Sequence, residues 1–227
     1  MSDGMIIANN ISKIYDIPGG KFSALTDVSV SIPRGCFCIL RGRSGSGKTT
    51  LMNILNTLDK PTYGQVIIDG QDISQLSEVE KEKLRRNTFG FVFQAVSLIP
   101  SLSAYQNVEF SIRMSGKKID KESQKRVEEC LKLVGLGARM THMPAQMSGG
   151  EMQRTAIARA LAHKPGIIFA DEPTAELDSV MAAKVTEIFR KMAHEENITI
   201  LMTTHDVGLM GAADMIIELE NGVRING

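Results

Sequence analysis

The chain of 227 residues has no tryptophan, few other aromatics and no net charge, with 26 lysines and arginines against 26 aspartates and glutamates. Balanced charge supplies no field that would draw the chain onto a nucleic-acid backbone, so no nucleic-acid partner is expected. The three cysteines, Cys36, Cys38 and Cys130, lack zinc-ligand spacing, and an odd number does not make a disulfide framework. They are expected to be buried, inert thiols in a reducing compartment. No apolar run approaches the ~20 residues that a membrane-spanning helix needs. The amino terminus carries no basic segment followed by an apolar run, so no secretory signal is expected. These absences predict a cytoplasmic chain that meets a membrane only through a partner. No internal repeat or low-complexity segment appears, and the scattered methionines, Met147 and Met152 among them, read as space-filling. The length suits one large domain, or one domain with a subdomain.

What is present is organised around one stretch. The apolar run Cys36-Phe37-Cys38-Ile39-Leu40 leads into Gly42-Arg43-Ser44-Gly45-Ser46-Gly47-Lys48-Thr49, and a helix-like run starts at Thr50. The spacing fits G-x-x-x-x-G-K-[ST], the phosphate-binding loop, in its strand–loop–helix context. Glycines and serines leave little side-chain bulk, so backbone N–H groups can converge on an anion, and the following helix aims its first N–H groups at the same place. Lys48 is expected to reach the β- and γ-phosphates of a nucleotide, and the Thr49 hydroxyl to ligate Mg²⁺. Thr50 is grouped with the loop. Arg43 has two readings, phosphate contact or a side chain facing solvent.

The rest of the chain alternates strand and helix signals. Met5 to Ile14 reads as an edge strand, Val28 to Ile32 alternates as a half-buried strand, and Gln65 to Gly70 is a short strand with a turn. Ser77-Glu78-Val79-Glu80 is a capping box opening a helix to about Arg86. Phe89 to Phe93 is strand-like and ends at Gln94. The stretch after Ala95 has helical spacing at Val127, Cys130, Leu131 and Val134, which marks an inserted helical subdomain over about residues 95–160. Gly166 to Ala170 and Ile198 to Met202 read as buried parallel strands, with a helix between them from about Val180 to Glu196. Asn221-Gly222 marks a hairpin. The fold class expected is α/β: a P-loop core with a mainly parallel sheet, an antiparallel β subdomain and the helical insertion, all one nucleotide-binding domain over residues 1–227.

Two further motifs carry chemistry. Asp171-Glu172-Pro173 follows a buried strand, where a carboxylate needs a charged partner. Asp171 suits Mg²⁺, usually through water, and Glu172 suits the polarisation of an attacking water. Met147-Ser148-Gly149-Gly150-Glu151 precedes a helix over Thr155 to Ala162, which Ser148 can cap while the glycines expose N–H groups to an anion.

In this order, the phosphate loop, Gln94, Ser148-Gly149-Gly150, Asp171-Glu172, Leu177-Asp178 and His205 resemble the ATP-binding-cassette (ABC) family over nearly the whole chain. The resemblance implies that Gln94 contacts Mg²⁺ and water, that Asp178 lies on a loop crossing a dimer interface, that His205 contacts the γ-phosphate, and that Tyr15 stacks on adenine; packing alone is the other reading of Tyr15. Glu151 stands where many relatives have glutamine and, being ionised, cannot donate to phosphate. His142, His163 and His194 have no such placement and are expected at the surface. The family implies a homodimer with two composite ATP sites and an integral membrane permease as partner, the ATPase being peripheral on the inner face of the membrane. The segment Ala95 to Val108 has two readings, docking surface or core packing of the helical subdomain. This segment, Leu58 to Gly64 and Gly90 to Gln94 look like those of the lipoprotein-release, macrolide-efflux and antimicrobial-peptide-resistance ATPases. A cell-division-type ATPase that signals across the membrane without transport is the alternative. Soluble ABC proteins of DNA repair or translation carry long coiled coils or tandem cassettes, and this chain has neither.

Overall fold

In the computed structural model, residues 4–225 are described. In chain order they form β1 (Gly4–Ile17), β2 (Gly20–Pro33), β3 (Phe37–Arg41), α1 (Lys48–Leu55), β4 (Tyr63–Ile68), β5 (Gln71–Asp72), α2 (Glu78–Thr88), β6 (Phe89–Val92), α3 (Ala104–Met114), α4 (Lys121–Leu133), α5 (Gly149–Ala162), β7 (Ile167–Asp171), α6 (Ser179–Glu196), β8 (Thr199–Thr203), β9 (Met215–Glu220) and β10 (Val223–Arg224). One sheet has the order β10-β9-β3-β8-β7-β6, with β9, β3, β8, β7 and β6 parallel. The antiparallel β9–β10 pair closes it through Asn221 and Gly222, both at positive φ (49 and 77), as a tight hairpin turn requires.

The parallel strands are apolar at successive positions because both of their faces are covered. On β3, Phe37 and Ile39 enter one core and Cys38 and Leu40 the other. The first core continues through Ile168, Ile200 and Met202 under α3, α4, α5 and α6. The second runs through Phe89, Phe169 and Leu201 to α1 and to a second, antiparallel sheet of order β2-β1-β4-β5. All three cysteines are buried, and burial pushes Cys36 and Cys130 up to about 11.

Three expectations need correction. The opening strand is not an edge: β1 lies between β2 and β4. Register shifts between Ala8 and Ile11 and between Ile11 and Lys13, with Asn10 at φ 51, break its alternation and hide its central place. The helix after Ser148 starts at once, at Gly149, because the capping box offsets two poor helix formers. His163 is not at the surface but only 5% exposed. It ends α5 and folds back so that Nε2 lies 3.0 Å from the Phe89 carbonyl oxygen, and burial lowers its pKa to about 4, so it stays neutral. His142 is half-buried beside Arg139, and His194 is exposed against Asp214.

The segment after Gln94 is knotted by one polar side chain. Asn107, fully buried, accepts from Ile99 N and donates to the carbonyls of Ile99, Leu102 and Ser103. Ala104 and Val108 belong to the core, while Ala95, Ser97 and Pro100 stay exposed.

Candidate nucleotide site

The loop between β3 and α1 has the backbone that its glycines permit. A Cβ at Gly42 would lie 2.3 Å from the Leu219 carbonyl, and one at Gly47 would lie 2.8 Å from the Ala24 carbonyl. Only glycine allows this approach, and both residues have positive φ. The loop closes through Ser46 N to the Arg43 carbonyl and Gly222 N to the Ser46 carbonyl. Lys48 curls back over it, donating to the carbonyls of Gly42 (2.8 Å) and Arg43 (3.0 Å). Arg43, Ser44 and Gly45 are exposed; Ser46 is buried, and its hydroxyl has no hydrogen-bond partner among the described residues. Gly47 caps α1 without a side chain, and no acidic residue stands in the first turn. Nothing in the helix competes with an anion for those first N–H groups.

Tyr15 reaches this end of α1. Its phenol lies beside Thr50 and donates to Asp59 Oδ2 at 2.8 Å. Lys13 Nζ sits 4.8 Å from the ring centroid and donates to Asp59 Oδ1 at 2.6 Å. Burial works to raise the Asp59 carboxyl, but the hydrogen bonds from Lys13 and Tyr15 outweigh it and hold it below the usual range. The ring is thus fixed, yet 36% of the residue remains exposed.

The acidic pair lies on the same sheet edge. Asp171 ends β7 directly beside Thr203, the last residue of β8. The Thr203 hydroxyl donates to Asp171 Oδ1 at 2.6 Å and accepts from Glu172 N at 2.9 Å. Glu172 takes a left-handed φ of 45, and its Oε2 lies 3.2 Å from His205 Nδ1. Gln94 is exposed two residues beyond Val92, which pairs with Ala170. The loop holding Lys48 and Thr49, Gln94, Asp171, Glu172 and His205 therefore all issue from the carboxyl ends of parallel strands, where ligands of open α/β sheets bind.

Ser148, Gly149 and Gly150 sit elsewhere. The Ser148 hydroxyl accepts from Glu151 N at 3.2 Å, and Glu151 Oε2 accepts from Ser148 N at 2.9 Å. Arg139 Nε approaches Glu151 Oε1 at 3.4 Å. Gln153 donates to the Pro173 carbonyl at 3.1 Å, tying α5 to the loop after Glu172; Asp178 ends that loop and caps α6 by accepting from Met181 N. Among the described residues no hydrogen bond joins residues 148–150 to the phosphate loop. Sequence reasoning did not single out Lys13 or Thr203; a hydroxyl closing an apolar strand two residues before His205 was the available signal for the latter.

Residues 25–175 match the family model described as ABC transporter. The chain belongs to the ABC transporter family. This cassette is 43% identical over 218 residues to an ABC transporter ATP-binding protein of Thermotoga maritima, covering 96% of this chain and 92% of that protein. It is 40% identical to the lipoprotein-releasing system ATP-binding protein LolD of Bordetella pertussis, covering 95% of this chain and 93% of that protein. Its fold matches the dimeric post-hydrolysis structure of the ATP-binding cassette MJ0796, from Methanocaldococcus jannaschii, bound to ADP and Pi. The TM-score is 0.91 at 40% identity, with 98% of this chain and 97% of that chain covered. The fold is thus that of an ABC ATPase cassette, and no described helix is long and apolar enough to cross a membrane.

Proposed function

We propose that this cassette, one nucleotide-binding domain with α3, α4 and α5 as its helical insertion, binds ATP with Mg²⁺. It closes with a second copy around two nucleotides and hydrolyses them to drive a separate membrane permease. The convergence of Lys48, Asp171, Glu172 and His205 on one sheet edge carries this reading. The first-turn N–H groups of α1 and the Lys48 ammonium compensate the charge of the phosphates. The exposed face of the Tyr15 ring receives the adenine. Thr49, Gln94 and Asp171 offer only oxygen donors, the set that a hard cation takes, so they fit Mg²⁺. When bound, Mg²⁺ neutralises charge on the phosphate oxygens. Glu172 polarises the attacking water and takes its proton as the water oxygen bonds to the γ-phosphorus. The bond from that phosphorus to the bridging oxygen breaks, and its electron pair stays on ADP. His205 holds the Glu172 carboxylate and contacts the γ-phosphate.

The end of α5 serves the partner's nucleotide. Ser148, Gly149 and Gly150 of one subunit face the γ-phosphate held by the other, and Asp178 lies along the interface. The dimeric structures of MJ0796 and the match to LolD, a component of a lipoprotein-releasing system, support a dimer working on a permease at the cytoplasmic face of a membrane. Glu172→Gln tests the chemistry. It should keep ATP binding, lower phosphate release by at least about 100-fold, the scale of a lost general base, and accumulate an ATP-bound dimer in size-exclusion chromatography. Wild-type phosphate release would reject Glu172 as the group that polarises water.

A further inference from the structure

We infer that Thr203 is a positioning residue for hydrolysis, holding Asp171 and Glu172 in place through one buried hydroxyl. The inference rests on the reading of those two carboxylates given above. Every residue of β8 is buried, and Thr203 is 0% exposed. A hydroxyl in such a place costs free energy unless it is paired. Here both of its capacities are used, and both go to the site: the O–H to Asp171 Oδ1 and a lone pair to Glu172 N. The parallel register that sets Asp171 beside Thr203 makes the pairing possible.

The two bonds have separate consequences. The bond to Asp171 is charge-assisted and fixes one carboxylate oxygen, which leaves the other to serve the metal-binding face. The bond from Glu172 N anchors a residue whose φ of 45 is sparsely populated for any side chain with a Cβ. That backbone turn sets where the Glu172 carboxylate lies, 3.2 Å from His205. The phosphate loop hangs from β3, the neighbour of β8 on its other side, and none of its hydrogen bonds involves the Thr203 hydroxyl. Loss of that hydroxyl should therefore disturb chemistry and metal use while sparing nucleotide binding.

The test compares Thr203→Val, which keeps the branched shape and removes the hydroxyl, with Thr203→Ser, which keeps the hydroxyl, in the purified full chain. Steady-state phosphate release, the Mg²⁺ concentration for half-maximal rate and thermal melting are measured for each. Thr203→Val should lower kcat about tenfold or more, the scale of a lost hydrogen bond to a charged group, with KM for ATP within about twofold. Its Mg²⁺ requirement should rise severalfold, and Thr203→Ser should restore both. Wild-type kcat and Mg²⁺ requirement in Thr203→Val would overturn the inference. So would a loss shared equally by Thr203→Ser, or one that tracks a fall in melting temperature with a rising KM, since these mark packing. Glu172→Gln assayed alongside separates the failures. A wild-type rate there overturns the catalytic reading and this inference with it. An inactive Glu172→Gln beside a fully active Thr203→Val overturns this inference alone.

Discussion

The N-termini of α1 and α5 are both glycine-rich, and they are finished in opposite ways. At α1, Gly47 in a left-handed conformation supplies no capping side chain, the first turn has no acid, and Lys48 adds a cation. At α5, Ser148 and Glu151 satisfy each other's backbone N–H groups, and a carboxylate stands in the first turn. The Ser148 N–H holds the Glu151 carboxyl below its usual range, with Arg139 adding to the effect. The other α-helices, α2, α3, α4 and α6, also have side-chain N-caps, so α1 is the exception among the described residues. An uncapped helix end beside a lysine suits a nucleotide held by one subunit alone. A self-satisfied end with only the N–H groups of Gly149 and Gly150 to spare suits a weaker, second contact, made when another subunit brings the phosphate to it.

The comparison breaks most visibly if the two ends are damaged separately. Lys48→Ala should weaken ATP binding by the isolated subunit about 10- to 100-fold, the loss of a charge-assisted contact. Ser148→Arg, which adds bulk at α5, should leave that affinity within about twofold while stopping turnover. Equal weakening by both, in a titration with fluorescent ATP, would mean that α5 contacts the nucleotide of its own chain. Neither variant alone should release phosphate, and mixing them sharpens the test. A mixed dimer has one site with both lesions and one with neither, so phosphate release should reappear on mixing. Activity that is independent of protein concentration, from a chain that stays monomeric with ATP, would remove the composite site.

At the α1 end, Tyr15→Ala should weaken nucleotide binding by about 1–3 kcal/mol, the scale of base–aromatic stacking, and should do so for GTP as for ATP. The Asp59 and Lys13 contacts hold the ring through the protein's own side chains. An unchanged affinity in equilibrium titration would therefore return Tyr15 to a purely structural role.

The loop around Lys48 was legible because its spacing implies a strand end, a turn and a helix start, and the Asp171-Glu172 pair because it closes an apolar strand downstream of that loop. Other features depended on which strands become neighbours. Thr203 gains its meaning from the parallel register with Asp171, and a threonine ending an apolar strand does not announce a neighbour 32 residues away in the chain. His163 was expected at the surface; only the return of the chain onto the Phe89 carbonyl makes it buried and neutral. The central place of β1 was masked by its own bulges. The start of α5 was hidden by Gly149 and Gly150, which lower helix propensity in the turn that the capping box then stabilises.

The smallest expected effect lies at Glu151, the acid that stands in the first turn of α5 and has no counterpart in the first turn of α1. Glu151→Gln keeps a side-chain oxygen for Ser148 N, so most of the cap, worth about 1 kcal/mol, should survive. Removing the negative charge should make the α5 end more attractive to phosphate by about 0.3–1 kcal/mol, so ATP-driven dimerisation should need about two- to fivefold less ATP. Stability should move the other way. The folded Glu151 carboxyl ionises more readily than in the unfolded chain, so its contribution is present above the unfolded value of about 4.3 and is lost as pH falls through the lower folded value. Wild-type protein should therefore exceed Glu151→Gln in melting temperature slightly at neutral pH, with the gap closing in acid. Weaker dimerisation of Glu151→Gln in ATP titrations followed by light scattering would show that the carboxylate helps the closed dimer, and the contrast between the two helix ends would then rest on Lys48 and on the side-chain cap that Gly47 lacks and Ser148 supplies.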